Sequence, residues 1–431
     1  MKHIAIIGAG IGGMTAAYDL AKNGNLVTLF EASNHLGGLA SGFKKPNWKW
    51  SLEFFYHHWF QTDRDILNLI EELGYKKNVH FYHPKTVVYH NGVFDPLDSP
   101  LSALFFPGFS LVDIARFGFV TLYLRYLSRW QPLEKFTAHE WLYKYYGKKL
   151  FKMMYEPLLI GKFGEYHRQV NMAWFWARFK TRTSKLGTFD GGFQVFVDQF
   201  TQVLIDQGIQ VRLNTPVNLI KAMPNGNLQI DFNKEQAIFD QVLVTTSPQL
   251  LTQIAPSLTS EYVARLNSLK SIGAIALILS LKHPLSAKGY YWFNLPKSAG
   301  FPFLALVEHT NFVSSENFGG EHIIYCGDYL DPDHEYFTLS KEELLTRFLP
   351  SLKRINPDFD PSWVTESWLS RSAYAQPIPF VNHSVHIPGI RTPIPNLFFA
   401  SMSQIYPWDR GTNYAVQLAR KAVQLMSNNI N

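Results

Sequence analysis

The apolar positions of this chain fall into short unbroken runs near the N-terminus and recur, in the same style, at two distant places. Ile4-Ala5-Ile6-Ile7 is followed by a glycine-rich stretch, a helix-length segment from Met14 to Asn23 and a second run, Val27 to Phe30. Continuous apolar runs of four residues bounded by glycine predict buried strands of a parallel sheet, and the segment between them predicts the crossover helix. Further along, Phe193, Phe196, Val197, Phe200, Val203 and Leu204 keep helical spacing up to Gly208, a helix-ending residue. Strands are predicted at Gln210–Leu213 and from Phe239 into Val242-Leu243-Val244, and a third buried strand at Asn396–Ser401 leads through a turn into a helix from Tyr414 to Met426. Residues 51–190 read as mostly helical and aromatic. Residues 250–388 carry the apolar runs Ile272–Leu281, Tyr290–Phe293, Phe303–Val307 and His322–Tyr325, predicted strands of a mixed sheet.

The first loop carries the chemistry. Gly8, Gly10, Gly12 and Gly13 form a GxGxxG turn between strand and helix. Gly8 makes the tight turn, Gly10 lets a pyrophosphate approach the backbone, and Gly13 lets the helix pack close to the strand. The helix N-terminus offers unpaired N–H groups and the positive end of its dipole to the phosphates. Glu31 ends the second strand, eighteen residues after Gly13, where a carboxylate accepts hydrogen bonds from ribose hydroxyls and repels a 2′-phosphate. The motif in this context predicts dinucleotide binding and disfavours NADP.

Composition narrows the class. The chain has 431 residues, 46% hydrophobic and 17% charged, which excludes disorder and a coiled coil and suits two or three structural units. A net charge of +6 suits an acidic substrate or an anionic membrane surface. No zinc spacing, helix-turn-helix or RNA-binding motif is present, so neither a metal site nor nucleic-acid binding is expected. Cys326 is the sole cysteine, which rules out an internal disulfide and a thiol relay. With the cofactor strand at the N-terminus, no signal peptide is expected, and the predicted location is cytoplasmic. Residues 101–130 are unusually apolar, broken by Pro107-Gly108 and by Asp113, Arg116, Arg125 and Arg129. They predict either a lid over an apolar cavity or a helix lying peripherally in a membrane interface with arginines reaching the headgroups. The sequence carries no signal of oligomeric state.

From Glu31 the chain reads through Leu36-Gly37-Gly38-Leu39 to Gly42, and this segment resembles the E-x5-G-G stretch of flavin-containing amine oxidoreductases, a superfamily that includes protoporphyrinogen oxidases and phytoene desaturases. The resemblance implies FAD and an α/β fold: a Rossmann-type FAD-binding domain interleaved with an α+β substrate domain that contains a mixed sheet. It assigns 1–50, 191–249 and 389–431 to the FAD domain and 51–190 and 250–388 to the substrate domain. Gly37 and Gly38 would pass the backbone close to the cofactor. Leu39, the next residue, is a further cofactor-binding candidate; it stands where many relatives have Arg, so the resemblance does not carry an Arg contact to phosphate over to this chain. Val217 matches the position whose backbone meets adenine, and Arg410, Gly411 and Asn413 stand where the family's last helix starts beneath the flavin ring.

Catalytic candidates are His57 and His58, which follow the paired glycines, and Glu308-His309 at the end of a predicted strand. Amine oxidases of this superfamily carry a lysine near flavin N5; the matching position here is Ala276, and no lysine lies between Lys270 and Lys282. The leading expectation is therefore an FAD-dependent oxidoreductase that dehydrogenates an apolar, isoprenoid- or porphyrinogen-like molecule. An amine oxidase is one alternative. Another is a flavoenzyme like UDP-galactopyranose mutase, for which Arg178, Arg182 and Arg371 are the candidate pyrophosphate contacts.

Overall fold

The computed structural model describes residues 1–90, 92–96, 106 and 109–428. Three separated stretches of chain meet in one parallel sheet of five strands. Its order is Gln210–Arg212, Leu26–Phe30, His3–Ile7, Gln241–Val244, Leu397–Phe399. The unbroken apolar runs follow from burial on both faces. One face carries the helices Ile11–Lys22, Phe193–Asp206 and Thr412–Ser427, which interlock through Met14, Phe196, Phe200 and Val416. The other is covered by an antiparallel sheet of Val217–Ala222, Leu228–Phe232 and Glu235–Phe239, with Phe30 packed against Phe232 and Phe239. Fusing three stretches into one sheet places the loops at its carboxyl ends side by side, the position at which α/β sheets bind ligands.

A second unit is built on a seven-stranded mixed sheet, in the order Val364–Pro377, Ser271–Leu281, His322–Leu330, Ala305–Glu308, Tyr290–Asn294, Lys85–His90, Val93–Pro96. All neighbours are antiparallel except Tyr290–Asn294 with Lys85–His90. Strands at 85–96 depart from the helical expectation for 51–190; Thr86-Val87-Val88-Tyr89 has the β-branched and aromatic composition of a strand. Helices from 111 to 181 pack beside this sheet around Leu124, Tyr146, Phe163 and Trp174. Of the greasy 101–130 segment, 101–105 and Pro107-Gly108 lie outside the described residues. The remainder begins the helix Leu111–Leu122, where Ser110 and Asp113 form a reciprocal N-terminal cap. Leu111, Val112, Phe119 and Leu122 are exposed on it, while Val120 and Leu124 anchor it to the core. Among the described residues no helix is long and apolar enough to cross a membrane.

Candidate active site

Three adjoining cavities run through the protein. The first, about 440 Å3, lies over the carboxyl ends of the parallel strands and is lined by Gly8, Gly10, Gly12, Gly13, Glu31, Gly37, Gly38, Leu39, Arg410 and Gly411. Its geometry explains the glycines. A methyl group on Gly13 would stand 1.9 Å from the Gly8 carbonyl oxygen, which closes the strand-to-helix turn to any other residue, and Gly8 itself has φ +99. Gly10 differs: its φ of −67 suits any residue, and a Cβ there would meet no protein atom within 4 Å. That Cβ would project into open cavity, so the space is kept for something other than this chain. The Gly37 N–H donates to the Ala9 carbonyl at 2.9 Å, which ties the paired glycines to the first loop. Glu31 accepts from the Ala9 N–H at 2.8 Å and from the Ser33 N–H and hydroxyl at 2.9 and 2.8 Å. A carboxylate offers about four lone-pair sites, so capacity for a ribose hydroxyl remains. Glycine backbone, a helix N-terminus and an anchored carboxylate fit a dinucleotide.

The second cavity is a chamber of about 190 Å3 that shares Leu39, His57, Arg410, Gly411 and Thr412 with the first. Its walls carry four cationic side chains, Lys162, Arg178 and Arg182 from two neighbouring helices and Arg410 from the C-terminal part of the chain. Asp409 is the anion at their centre. It accepts from Arg178 at 3.0 Å, from the Trp174 indole and the Arg410 N–H at 3.1 Å each, and lies 3.8 Å from Lys162 Nζ. Burial alone would raise its carboxyl, but Lys162, Arg178, Arg410 and Arg182 outweigh burial and hold it well below the usual carboxylate range. Tyr329 is treated similarly: burial would raise the phenol, yet Arg410, whose guanidinium donates to its oxygen, and Lys162, 4.6 Å from its ring, hold it below its ordinary value. The third cavity, about 470 Å3, begins at Arg178 and Arg182 and runs between Phe117, Met153, Met154, Leu158, Phe175 and Phe179. The Leu111–Leu122 helix contributes Phe117 and Thr121 to the wall of this channel and turns Leu111, Val112, Phe119 and Leu122 outward.

The residues singled out from the sequence separate into two groups. The glycines, Glu31, Leu39, Arg410 and Gly411 line the first cavity, and His57 and His58 line the chamber. Burial pushes His57 down to about 4, with Arg410 adding to the effect, and His58 down to about 3. Both are neutral near pH 7 and far from the near-neutral affinity of an efficient general base. His57 donates from Nδ1 to the Phe55 carbonyl at 2.6 Å, which leaves Nε2 as an acceptor. Asn413 lines the chamber, and its Oδ1 accepts from the Asp65 and Ile66 N–H groups at 2.8 and 3.2 Å, capping another helix. Val217 is buried two residues beyond Thr215, whose N–H donates to the Glu31 carbonyl at 2.8 Å; it is not part of the first cavity's lining.

Glu308 and His309 line none of the three cavities, which corrects the expectation drawn from the sequence. Glu308 accepts from the Leu285 and Ser286 N–H groups at 2.8 Å each and holds a turn, and His309 packs among Phe312, Phe318 and Tyr325. Arg371 is also elsewhere, donating to the Tyr336 and Leu339 carbonyls. Lys162 and Tyr329 escaped sequence reasoning. Each sits in a regular element, where a lone lysine or tyrosine reads as surface or core.

The sequence model of flavin containing amine oxidoreductases matches residues 11–427. An L-amino-acid oxidase of Bungarus fasciatus is 32% identical over 88 residues, 20% of this chain and 17% of that protein. A zeta-carotene desaturase of Synechocystis sp. is 32% identical over 97 residues, 22% of this chain and 20% of that protein. These local matches span a fifth or less of the relatives' own length. Among solved structures, cyclohexylamine oxidase from Brevibacterium oxydans superposes with a TM-score of 0.75 at 14% identity, over 100% of this chain and 99% of the other. Reduced UDP-galactopyranose mutase gives 0.74 at 15% identity, over 100% and 97%. At such identities the superpositions establish the shared fold.

Proposed function

Because the chain belongs to the flavin-containing amine oxidoreductase family, we propose that it is an FAD-dependent oxidoreductase acting on a small molecule with a large apolar part, held in the chamber and channel. The observation that carries this reading is the continuity of the three cavities: a glycine cradle for a dinucleotide opens, past Gly411 and Leu39, into a chamber with an apolar exit. Bound FAD supplies the acceptor for the electron pair that leaves the substrate. The chain's own residues do the rest. Glu31 and the glycine turn hold the nucleotide, and the Thr412–Ser427 helix directs its N-terminal N–H groups toward the cradle, where they stabilise negative charge. Tyr56, Trp292 and Ala274 wall the chamber on the side of the mixed sheet and limit water. Tyr329, held between Arg410 and Lys162, is the group best placed to move a proton at its Oη.

Anaerobic mixing of the holoprotein with polyprenyl compounds, porphyrinogens, amines and sugar nucleotides tests this. Bleaching of the flavin by a molecule with a long apolar part is expected, and Tyr329→Phe should keep the flavin while slowing bleaching about tenfold or more. Bleaching by small amines alone would overturn the reading. A second reading draws on Arg178 and Arg182 in the chamber wall: a sugar-nucleotide enzyme, as in the UDP-galactopyranose mutase with the same fold. Turnover of a sugar nucleotide with no net change in flavin redox state would favour it.

We also infer a peripheral membrane contact through the outward face of the Leu111–Leu122 helix and the turn after it. Leu111, Phe119, Leu122, Tyr126 and Leu127 are exposed there, with exposed Arg116 and Arg129 beside them. Phe119→Asp with Leu122→Asp should abolish sedimentation with anionic vesicles and leave flavin content unchanged. Equal sedimentation of the double variant would exclude this face.

A further inference from the structure

The charges of the chamber do not balance, and the imbalance sits at one place. Asp328 is matched by Lys297 at 3.1 Å, and Asp409 by Arg178. Asp63 borders the chamber, but its carboxylate accepts from the Phe60 N–H at 2.8 Å and burial pushes it up to about 6. Even with Asp63 ionised, the lining cations exceed the anions once Lys297 has matched Asp328. Arg182 is the cation left over: its side chain makes no hydrogen bond or ion pair with any described residue, and its guanidinium stands 5.8 Å from the Phe60 ring. It is exposed and borders both chamber and channel. Arg182 feels Asp409 only at a distance and makes no direct bond to it, so its guanidinium donors are open to an anion entering from the channel.

Position identifies the anion. Arg178 and Arg182 line the chamber and the channel and do not line the glycine cradle, so the cofactor's own phosphates are not what they face. On one side of the pair lies the junction with the cradle. On the other lies the channel, whose walls are mostly apolar, with Phe117, Met153, Met154, Leu158 and Phe175 among them, and whose one further cation, Arg125, donates to the Phe179 carbonyl at 3.3 Å. Its volume of about 470 Å3 is within the range of ligand pockets, and the two methionines allow it to fit a flexible chain.

We propose that the site binds a single-chain amphiphile whose anionic head, a phosphate or a carboxylate, docks between Arg178 and Arg182 and whose hydrocarbon tail runs along the channel. This deepens, and rests on, the reading of chamber and channel as the substrate site. It places the reacting carbons within a few bonds of the head, because the head is the part beside the cradle.

The test is calorimetric binding to the holoprotein at low salt, with decyl phosphate, decanoate, decanol and inorganic phosphate as probes, each ligand with a tail kept below its micelle concentration. Decyl phosphate, decanoate or both should bind at least about tenfold more tightly than decanol and than inorganic phosphate, a difference of about 1.4 kcal/mol. The tighter of the two anions identifies the head. Arg182→Gln should remove that preference, leave decanol binding and flavin absorbance unchanged, and not lower Tm. Decanol binding as tightly as both anions, inorganic phosphate binding as tightly as its decyl ester, or an unchanged preference in Arg182→Gln would each overturn the proposal. These readouts do not depend on turnover, so a colourless protein would count against the flavin reading and leave the head-group result standing on its own.

Discussion

Gly10→Val should give a folded, colourless protein. The expectation follows from the difference between two glycines three residues apart. At Gly13 a Cβ would lie 1.9 Å from a backbone oxygen, so substitution there damages the turn itself and any loss of cofactor is ambiguous. At Gly10 the backbone has φ −67 and ψ 174, open to every residue, and a Cβ meets nothing. The valine methyls would occupy cavity that the protein does not use. The far-UV spectrum and Tm of the apoprotein should match those of wild-type apoprotein, while affinity for FAD falls by about two orders of magnitude or more, because the pyrophosphate can no longer approach the backbone N–H groups. Titration of both apoproteins with FAD checks it. Normal flavin uptake by Gly10→Val would mean that the cradle is not where the cofactor binds.

Asp409→Asn should be among the most destabilising conservative changes in the molecule. The side chain keeps its shape, but the carboxylate shared by Lys162, Arg178 and the Arg410 N–H loses its charge. Lys162 and Arg178 are only 12% and 10% exposed, so water compensates poorly for the lost charge. Breaking a buried ion pair by neutralising one partner costs about 3–5 kcal/mol, because the other charge is left uncompensated. For a chain of 431 residues that corresponds to a fall in Tm of about 3–6 °C, measured by calorimetry. Phosphate in the buffer should recover part of the loss by entering the chamber. A Tm within a degree of wild type would show that the cations are not held by Asp409.

How much of this was readable in advance depends on how local each feature is. The Gly8–Gly13 turn, Glu31 and Gly37-Gly38 are consecutive or nearly so, and each obeys a backbone requirement that few residue types can meet. They identified the cradle, and the repeated apolar runs identified the strands that support it. The chamber had no such signature. Lys162, Tyr329 and Asp409 come from separate elements and Arg178 with Arg182 from one further helix end. The two arginines stand out from the sequence only as candidate contacts of an alternative reading, and nothing in the sequence around Lys162 or Tyr329 distinguishes a side chain facing a cavity from one facing core or solvent. Glu308 shows the converse: four polar residues after an apolar strand suggested a pocket, but the carboxylate turns back to two backbone N–H groups, of Leu285 and Ser286, in a neighbouring loop. The Val364–Pro377 strand was missed because its polar positions, Thr365, Glu366, Ser367, Arg371 and Ser372, dilute the apolar signal; it is the outermost strand, paired along one side with Ser271–Leu281.

The central claim is that the three loops at the carboxyl end of the parallel sheet hold FAD. It is tested most directly by denaturing the purified protein and identifying the released chromophore by mass and absorbance. One FAD per chain is expected, after reconstitution if the cofactor is lost in purification. Release of FMN or a nicotinamide dinucleotide, or no flavin uptake by the folded apoprotein, would contradict the account.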